Sequence, residues 1–162
     1  MKTDGSLERN MYSELVTVYQ CLEKELLSHN PGCNRCGTCC NFRAFDHVLY
    51  TSNIEVQFIK QHIKVPDFII SHNVCPFLKD NQCSIRDYRT LGCRTFYCNP
   101  HYKEVSSDIY EKYYRMIKEL SIKYGMPWRY HPFLEQLLDS EHILIGLPVT
   151  DPSRPGIFNT RC

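Results

Sequence analysis

Eight of the ten cysteines in this 162-residue chain lie between residues 33 and 98, at spacings that suit metal ligation. The first four form the pattern Cys33-x-x-Cys36-x-x-Cys39-Cys40. Three cysteines at successive two-residue gaps resemble an iron–sulfur run more closely than the separated pairs of zinc sites. Gly37 allows the close backbone approach that a cluster requires. We expect the side chains of the adjacent Cys39 and Cys40 to diverge, so they could serve one cluster or two centres, or one could be free.

The other four cysteines are more widely spaced. Cys75, Cys83, Cys93 and Cys98 are separated by 7, 9 and 4 residues, which is not a zinc-finger pairing. Cys75-Pro76 resembles the Cys-Pro that ends bacterial ferredoxin runs. Eight cysteines are enough for two tetrathiolate sites. We therefore predict an iron–sulfur cluster of the 4Fe–4S type, with Zn²⁺ as the second candidate because thiolate ligation suits both metals.

Two other interpretations of the cysteines depend on the compartment. The N-terminus has no apolar stretch after Lys2, and Asp4 and Glu8 stand where an export signal would be cationic. The most apolar run, Ile143 to Val149, is far shorter than the ~18 residues that span a bilayer. We expect a cytoplasmic protein with no membrane partner, in which clustered cysteines bind metal. The alternatives are a disulfide framework and a set of unrelated structural thiols.

The net charge of +1 argues against a nucleic-acid partner, which usually needs a strong basic excess. The charge is uneven: residues 33–103 carry +4, which would offset the negative charge of two tetrathiolate centres. Within that segment, the arginines expected to tune a bound cluster are Arg35, Arg43 and Arg94. The nearby histidines, expected to be surface residues or neighbours of ligands rather than ligands, are His47, His72 and His101.

The remaining pattern predicts a mainly α fold in one domain, residues 1–162. Residues 1–32 hold a helix at about 7–28, and 33–103 form an irregular cysteine-rich metal-binding lobe that includes a helix capped by Ser52 and Glu55. Residues 104–145 hold further helices, at about 108–124 and after Pro132, and 146–162 form an extended tail. The helices at 7–28 and 108–124 should pack together. Cys21, on the apolar side of the first helix, is expected to be a buried unreactive thiol, and Cys162 a tail residue.

The cysteine patterns resemble those of a known family. Cys33-x-x-Cys36-x-x-Cys39-Cys40 followed by CPFLKDNQCSIRDYRTLGCRTFYC is similar to the YkgJ-type cysteine-cluster family, described as zinc- or iron-chelating. Flagellin lysine N-methylases are similar in this region, and the resemblance covers residues 33–103. The family usually has Tyr where Arg86 stands, and Arg-Pro where Arg89-Thr90 stands. The resemblance implies metal binding by the eight matching cysteines: Cys33, Cys36, Cys39, Cys40, Cys75, Cys83, Cys93 and Cys98.

These observations give two main functional hypotheses, beside a third, metal storage or delivery, which would need labile, exposed thiolates. The first is a metalloprotein with one or two Cys-ligated centres, with a redox role or, as the resemblance implies, a role in methyl transfer. No strand–GxGxxG–helix loop is present for a nucleotide cofactor, and a radical-type C-x3-C-x2-C fails because Arg43 stands at its third position. The second hypothesis is a zinc-stabilised adaptor module without catalysis. Either would act on a protein partner or a substrate that the sequence does not identify.

Overall fold

A computed structural model describes residues 5–139, and most of this part of the chain is helical. Loops and short 3-10 turns join the helices and strands. In chain order these are α1 (Gly5–His29), β1 (Tyr50–Ser52), α2 (Asn53–His62), β2 (Leu78–Lys79), β3 (Gln82–Cys83), α3 (Leu91–Thr95), α4 (Lys103–Lys123), β4 (Tyr130–Pro132) and α5 (Phe133–Leu138). The mainly α prediction is confirmed. The predicted tail, residues 146–162 with Cys162, lies outside the described residues.

The two long helices pack against each other, as the apolar periodicity predicts. The sequence predicts that α1 buries the apolar residues spaced three or four apart from Leu7 to Leu26, and all of them are buried except Leu7, which is 44% exposed. The residues of the two helices that share this core are Met11, Tyr12, Leu15, Val18, Tyr19, Leu22, Leu26, Ile109, Tyr113, Ile117 and Leu120. Burying such a stripe from both partners is what stabilises amphipathic helices in a domain of this size.

Helix α4 begins at Lys103, earlier than the predicted start after Ser107. A 3-10 turn, Pro100–Tyr102, leads directly into it. The side chain of Asn99 caps that turn by accepting a hydrogen bond from the backbone N–H of His101 at 3.1 Å. This local capping starts the helical path before the apolar periodicity does.

The cysteine-rich segment contributes to two hydrophobic cores, so the expected irregularity is only partial. Ile54 and Phe58 of α2 and Leu91 of α3 join the core of α1 and α4. A second core forms around α2 and α5 and includes Val56, Ile59, Phe77, Phe133 and Leu134. The segment therefore packs against the helices on both sides of α2.

Four short strands were not predicted. Strands β1 and β4 pair antiparallel, with Thr51 opposite His131. Strands β2 and β3 form a hairpin with Leu78 opposite Cys83. Asp80 and Asn81 form its two-residue loop with φ of 48° and 59°, as a type I′ turn requires.

The carboxylate of Glu55, in the first turn of α2, is 3% exposed and connects three parts of the fold. Its Oε1 accepts hydrogen bonds from Tyr19 Oη on α1 at 2.8 Å and from the backbone N–H of Leu91, the first residue of α3, at 2.6 Å. Its Oε2 accepts from Thr51 Oγ1 at 3.1 Å, Ser52 Oγ at 2.6 Å and the Ser52 backbone N–H at 3.1 Å. The predicted capping box is confirmed.

Two further observations bear on the predictions. Cys21 is half-buried against the α1–α4 core and is disulfide-bonded, so the prediction of a buried unreactive thiol is wrong. Within residues 5–139, the structure has no helix whose length and apolar character would let it cross a bilayer.

Replacing Glu55 with Gln should lower the free energy of unfolding by roughly 2–4 kcal/mol, because hydrogen bonds to a buried charge are lost. The amide of Gln has one acceptor oxygen. Whichever way it is turned, the backbone N–H of Ser52 or of Leu91 meets an N–H₂ group. Urea unfolding at neutral pH measures the difference. The matched control is Glu119→Gln on the exposed face of α4, which should change stability by less than about 0.5 kcal/mol. Equal stability of the two variants would contradict the role given to Glu55.

Candidate metal centre

All eight cysteines proposed from the sequence as ligands line one cavity of about 610 Å³. None of them forms a disulfide. They come from three places: the segment 33–40, the hairpin with its flanks, and α3 with the residues after it. The described part of the fold thus brings together both cysteine groups of the sequence, which are separated by 34 residues between Cys40 and Cys75.

The segment that carries the first four cysteines follows the end of α1. Its backbone passes through the left-handed region at Gly32, Arg35 and Gly37, with φ of 62°, 53° and 70°. A 3-10 turn, Thr38–Cys40, then directs the adjacent cysteines into the cavity. Repeated changes of backbone direction within a few residues allow this segment to form part of a cavity wall.

Gly37 is required by the hairpin rather than by a cluster. A Cβ at this position would lie 2.2 Å from the backbone O of Asn81 and 2.8 Å from Leu78 Cδ1. The sequence-based expectation of a close backbone approach is therefore right about the glycine, but the approaching group is the β2–β3 turn. This contact fixes the first cysteine segment against the element that carries Cys83.

Backbone hydrogen bonds fix Cys75 and Cys83 relative to Cys40. The N–H of Cys75 donates to the Cys40 carbonyl at 2.8 Å, and the N–H of Leu78 donates to the Cys75 carbonyl at 3.1 Å. The two-residue turn of the hairpin then places Cys83 opposite Leu78. Cys40, Cys75 and Cys83 are thus positioned by main-chain geometry.

Helix α3 presents Cys93 to the cavity. Its first backbone N–H, that of Leu91, is held by Glu55 as described above. Thr90 Oγ1 donates a hydrogen bond to Cys93 Sγ at 3.4 Å. Cys98 follows three residues after the end of α3 and is exposed.

The thiols of the inner part of the cavity contact one another. Cys40 and Cys75 are each 8% exposed, and Cys39 and Cys83 are half-buried. The Cys40 thiol is hydrogen-bonded to Cys39, Cys75 and Cys83. The expected divergence of Cys39 and Cys40 is wrong, because the 3-10 turn Thr38–Cys40 brings both side chains to the same cavity.

These contacts divide the thiols by acidity. The hydrogen bond from Cys40, together with the positive charge of Arg89, lowers the pKa of Cys39 and of Cys83 to about 6 despite their burial. The same hydrogen bonds raise the pKa of Cys40 strongly. Burial raises the pKa of Cys93 to about 12. The Cys40 thiol and Arg89 therefore favour the thiolate form of Cys39 and of Cys83, the form that binds metal.

Three arginines line the cavity, but only one of them is among the arginines that were expected to lie near a bound cluster. Arg35, Arg86 and Arg89 line it, whereas Arg43 and Arg94 do not. Arg94 is buried elsewhere: its Nε donates to the Arg89 carbonyl at 2.7 Å, and its guanidinium lies 4.0 Å from the centre of the Tyr19 ring.

The histidines divide similarly. His47 lines the cavity and stacks on Phe96, with ring centres 6.1 Å apart and planes 12° apart. His72 and His101 are exposed, as expected for surface residues.

The thiols are gathered, but they do not form a ready-made coordination shell. Within residues 5–139, no group of three or more His, Cys, Asp or Glu side chains stands where it could hold a metal ion. Ligation would require these side chains to turn toward a common centre.

Aromatic residues form another part of the cavity wall, which sequence reasoning missed. Tyr50, Tyr110 and Tyr130 line it, and the rings of Tyr50 and Tyr130 stack with centres 5.8 Å apart. The hydroxyls of Tyr110 and Tyr130 are hydrogen-bonded to each other. Tyr50 and Tyr130 meet because β1 and β4 pair, and these three-residue strands are too short to show alternation.

No protein-family model, no curated protein and no solved structure matches this chain. The similarity to the YkgJ-type family therefore stays a prediction that depends on the cysteine patterns alone.

Replacing Gly37 with Ala should destabilise the protein by about 1–3 kcal/mol more than replacing Gly32, because only at Gly37 does the new Cβ overlap another backbone. Both residues have φ near the left-handed value, so both variants carry that strain of about 1–2 kcal/mol. A Cβ at Gly32 has no atom within 4 Å, which makes this variant the matched control. Urea unfolding of both variants separates the two costs. Equal losses would show that the contact with the hairpin is not required.

Proposed function

We propose that this protein binds metal through the cavity cysteines, in one or two Cys-ligated centres, and that an iron–sulfur cluster is the favoured occupant. One observation carries the proposal: eight free thiols, far apart in sequence, line a single cavity. The ligands we propose are Cys33, Cys36, Cys39, Cys40, Cys75, Cys83, Cys93 and Cys98.

The chemistry of the donors fits such a centre. Two of the thiols have a pKa near 6, which favours the thiolate form in part of the ligand set. Arg35, Arg86 and Arg89 provide positive charge at the same cavity. Cationic neighbours favour thiolate over thiol and offset the negative charge of a thiolate-ligated centre.

A redox role is the form of the proposal that the exposure of the site favours. A bound iron–sulfur cluster would supply one-electron transfer. Cys33, Cys36 and Cys98 are exposed, so such a centre would lie near the surface, where a partner can approach. The cavity arginines would adjust its potential through their charge. Methyl transfer stays a prediction of the family resemblance, since no contact in the cavity specifically favours it.

Purification under anaerobic conditions, with metal analysis and a visible spectrum, tests the proposal. We expect iron and acid-labile sulfide together with a broad absorption band near ~400 nm. A colourless protein with stoichiometric zinc would support the alternative below. A reduced, folded protein that contains no metal and takes up neither iron nor zinc would contradict both.

Replacing Cys36 or Cys93 with Ser should lower the bound metal and destabilise the fold. Serine removes the thiolate at nearly the same size, so the loss would come from ligation rather than from packing. Metal per protein and the thermal midpoint are measured together. The control is Ser107→Ala, an exposed position of α4 that does not line the cavity. Unchanged metal content in both cavity variants would contradict the ligand assignment.

A zinc-stabilised structural or adaptor module without catalysis is the alternative, and one observation favours it. Cys39, Cys40, Cys75 and Cys83 belong to the second hydrophobic core, next to Phe77. Structural zinc sites are closed, with every position filled by protein, and these four buried or half-buried cysteines could form such a site. In this case the metal would stabilise the cysteine-rich segment, and the helices would bind a partner.

A further inference from the structure

The cavity thiols fall into two groups that differ from the grouping in the sequence. We define the inner thiols as Cys39, Cys40, Cys75 and Cys83. They are buried or half-buried, they are hydrogen-bonded through Cys40, and they are part of the second hydrophobic core. Movement of these side chains would disturb that core, so a centre held by them would be coupled to the stability of the fold.

We define the outer thiols as Cys33, Cys36 and Cys98. All three are exposed, and none belongs to a hydrophobic core of the described residues. The first two lie in the segment between α1 and the 3-10 turn Thr38–Cys40, where no helix or strand is formed. Cys98 lies between α3 and the next turn. Such segments open locally at low cost in free energy.

Cys93 belongs with the inner side of the cavity. Its thiol is half-buried, it accepts the hydrogen bond from Thr90, and the cysteines whose charges act on it are Cys75 and Cys39. The charges that act on Cys98 are those of Cys36, Cys39 and Cys33, so it is exposure that places Cys98 with Cys33 and Cys36 rather than with the half-buried Cys39. The inner side therefore offers enough sulfurs for a complete tetrathiolate site, whereas the outer side offers three.

The number of outer thiols matters for chemistry. Sites with four protein ligands are structural, and reactive sites keep one position for a ligand that is not protein. The cavity volume of about 610 Å³ falls within the range of pockets that hold small molecules, roughly 300–1,000 Å³. Its aromatic wall, with Tyr50 and Tyr130, offers apolar surface to such a ligand.

We infer that the protein holds two unlike centres: an inner, closed one that stabilises the fold, and an outer, labile one that keeps a position open to a small ligand. The inference rests on the proposed metal binding. It adds that Cys33, Cys36 and Cys98 hold the reactive centre, whereas the inner thiols hold the closed centre that stabilises the fold around the cavity.

Release of metal to EDTA tests the division. Protein purified anaerobically is incubated with excess EDTA, the released metal is measured over time, and helicity is followed by circular dichroism. We expect two phases whose rates differ by about tenfold or more, because the outer thiols are exposed and the inner ones are released only by larger unfolding. The protein should keep its helicity through the fast phase and lose it with the slow one. Release in a single phase would overturn the inference.

Variants assign the phases. Cys98→Ser should remove the fast phase and leave the slow phase and the helicity intact. Cys83→Ser should remove the slow phase and lower stability. If it fails to fold, Cys98→Ser and the unmodified protein still decide the result. The control Ser107→Ala, exposed on α4, should retain both phases. Loss of the slow phase in Cys98→Ser would contradict the assignment.

A separate spectroscopic experiment tests whether the outer centre keeps an open coordination position. When Co²⁺ is added after the fast phase, to load the emptied outer centre, added imidazole should change the visible absorption bands of the unmodified protein but not those of Cys98→Ser. Bands that do not respond in either protein would show that the outer centre is closed. A protein that takes up no metal contradicts the proposed function itself. A protein with normal metal content that releases its metal to EDTA in a single phase contradicts only the two-centre inference.

Discussion

The buried carboxylate of Glu55 is the interaction on which the arrangement of the cavity most depends. A carboxylate that is 3% exposed is tolerated only because hydrogen-bond donors surround both of its oxygens. Those donors come from α1, from the β1–α2 junction and from the start of α3. Helix α3 carries Cys93 and leads to Cys98. One side of the cavity is therefore positioned by a charge buried in the first turn of α2, at a distance from the thiols themselves.

The opposite side of the cavity is positioned by main-chain contacts. Gly37 lies against the turn of the β2–β3 hairpin, so closely that no side chain fits between them. The backbone hydrogen bond from Cys75 to Cys40 connects the same two segments. Two kinds of interaction, a buried carboxylate and a close backbone contact, thus define a cavity whose shape does not depend on the sulfurs alone. This is the preorganisation that a binding site requires.

The long elements could be predicted because their apolar residues repeat at helical spacing. The start of α4 could not, since it depends on the capping of a short turn by Asn99. The strands were missed because two or three residues cannot establish a period. The Asp80-Asn81 pair was the available signal for the hairpin, because both residues tolerate the left-handed conformation that a type I′ turn needs. The eight cysteines were found by spacing, but spacing could not tell which of them would be neighbours.

That last difference changes how the site is understood. In the sequence the cysteines form one group at 33–40 and another at 75–98, which suggests one centre for each group. In the fold, Cys39 and Cys40 lie with Cys75 and Cys83, whereas Cys33 and Cys36 share the exposed side with Cys98. The adjacent cysteines do not diverge; instead the backbone between Cys36 and Cys39 passes from the surface to a hydrophobic core. Since burial controls both the acidity and the lability of a thiol, one short segment can supply a stable site and a reactive one.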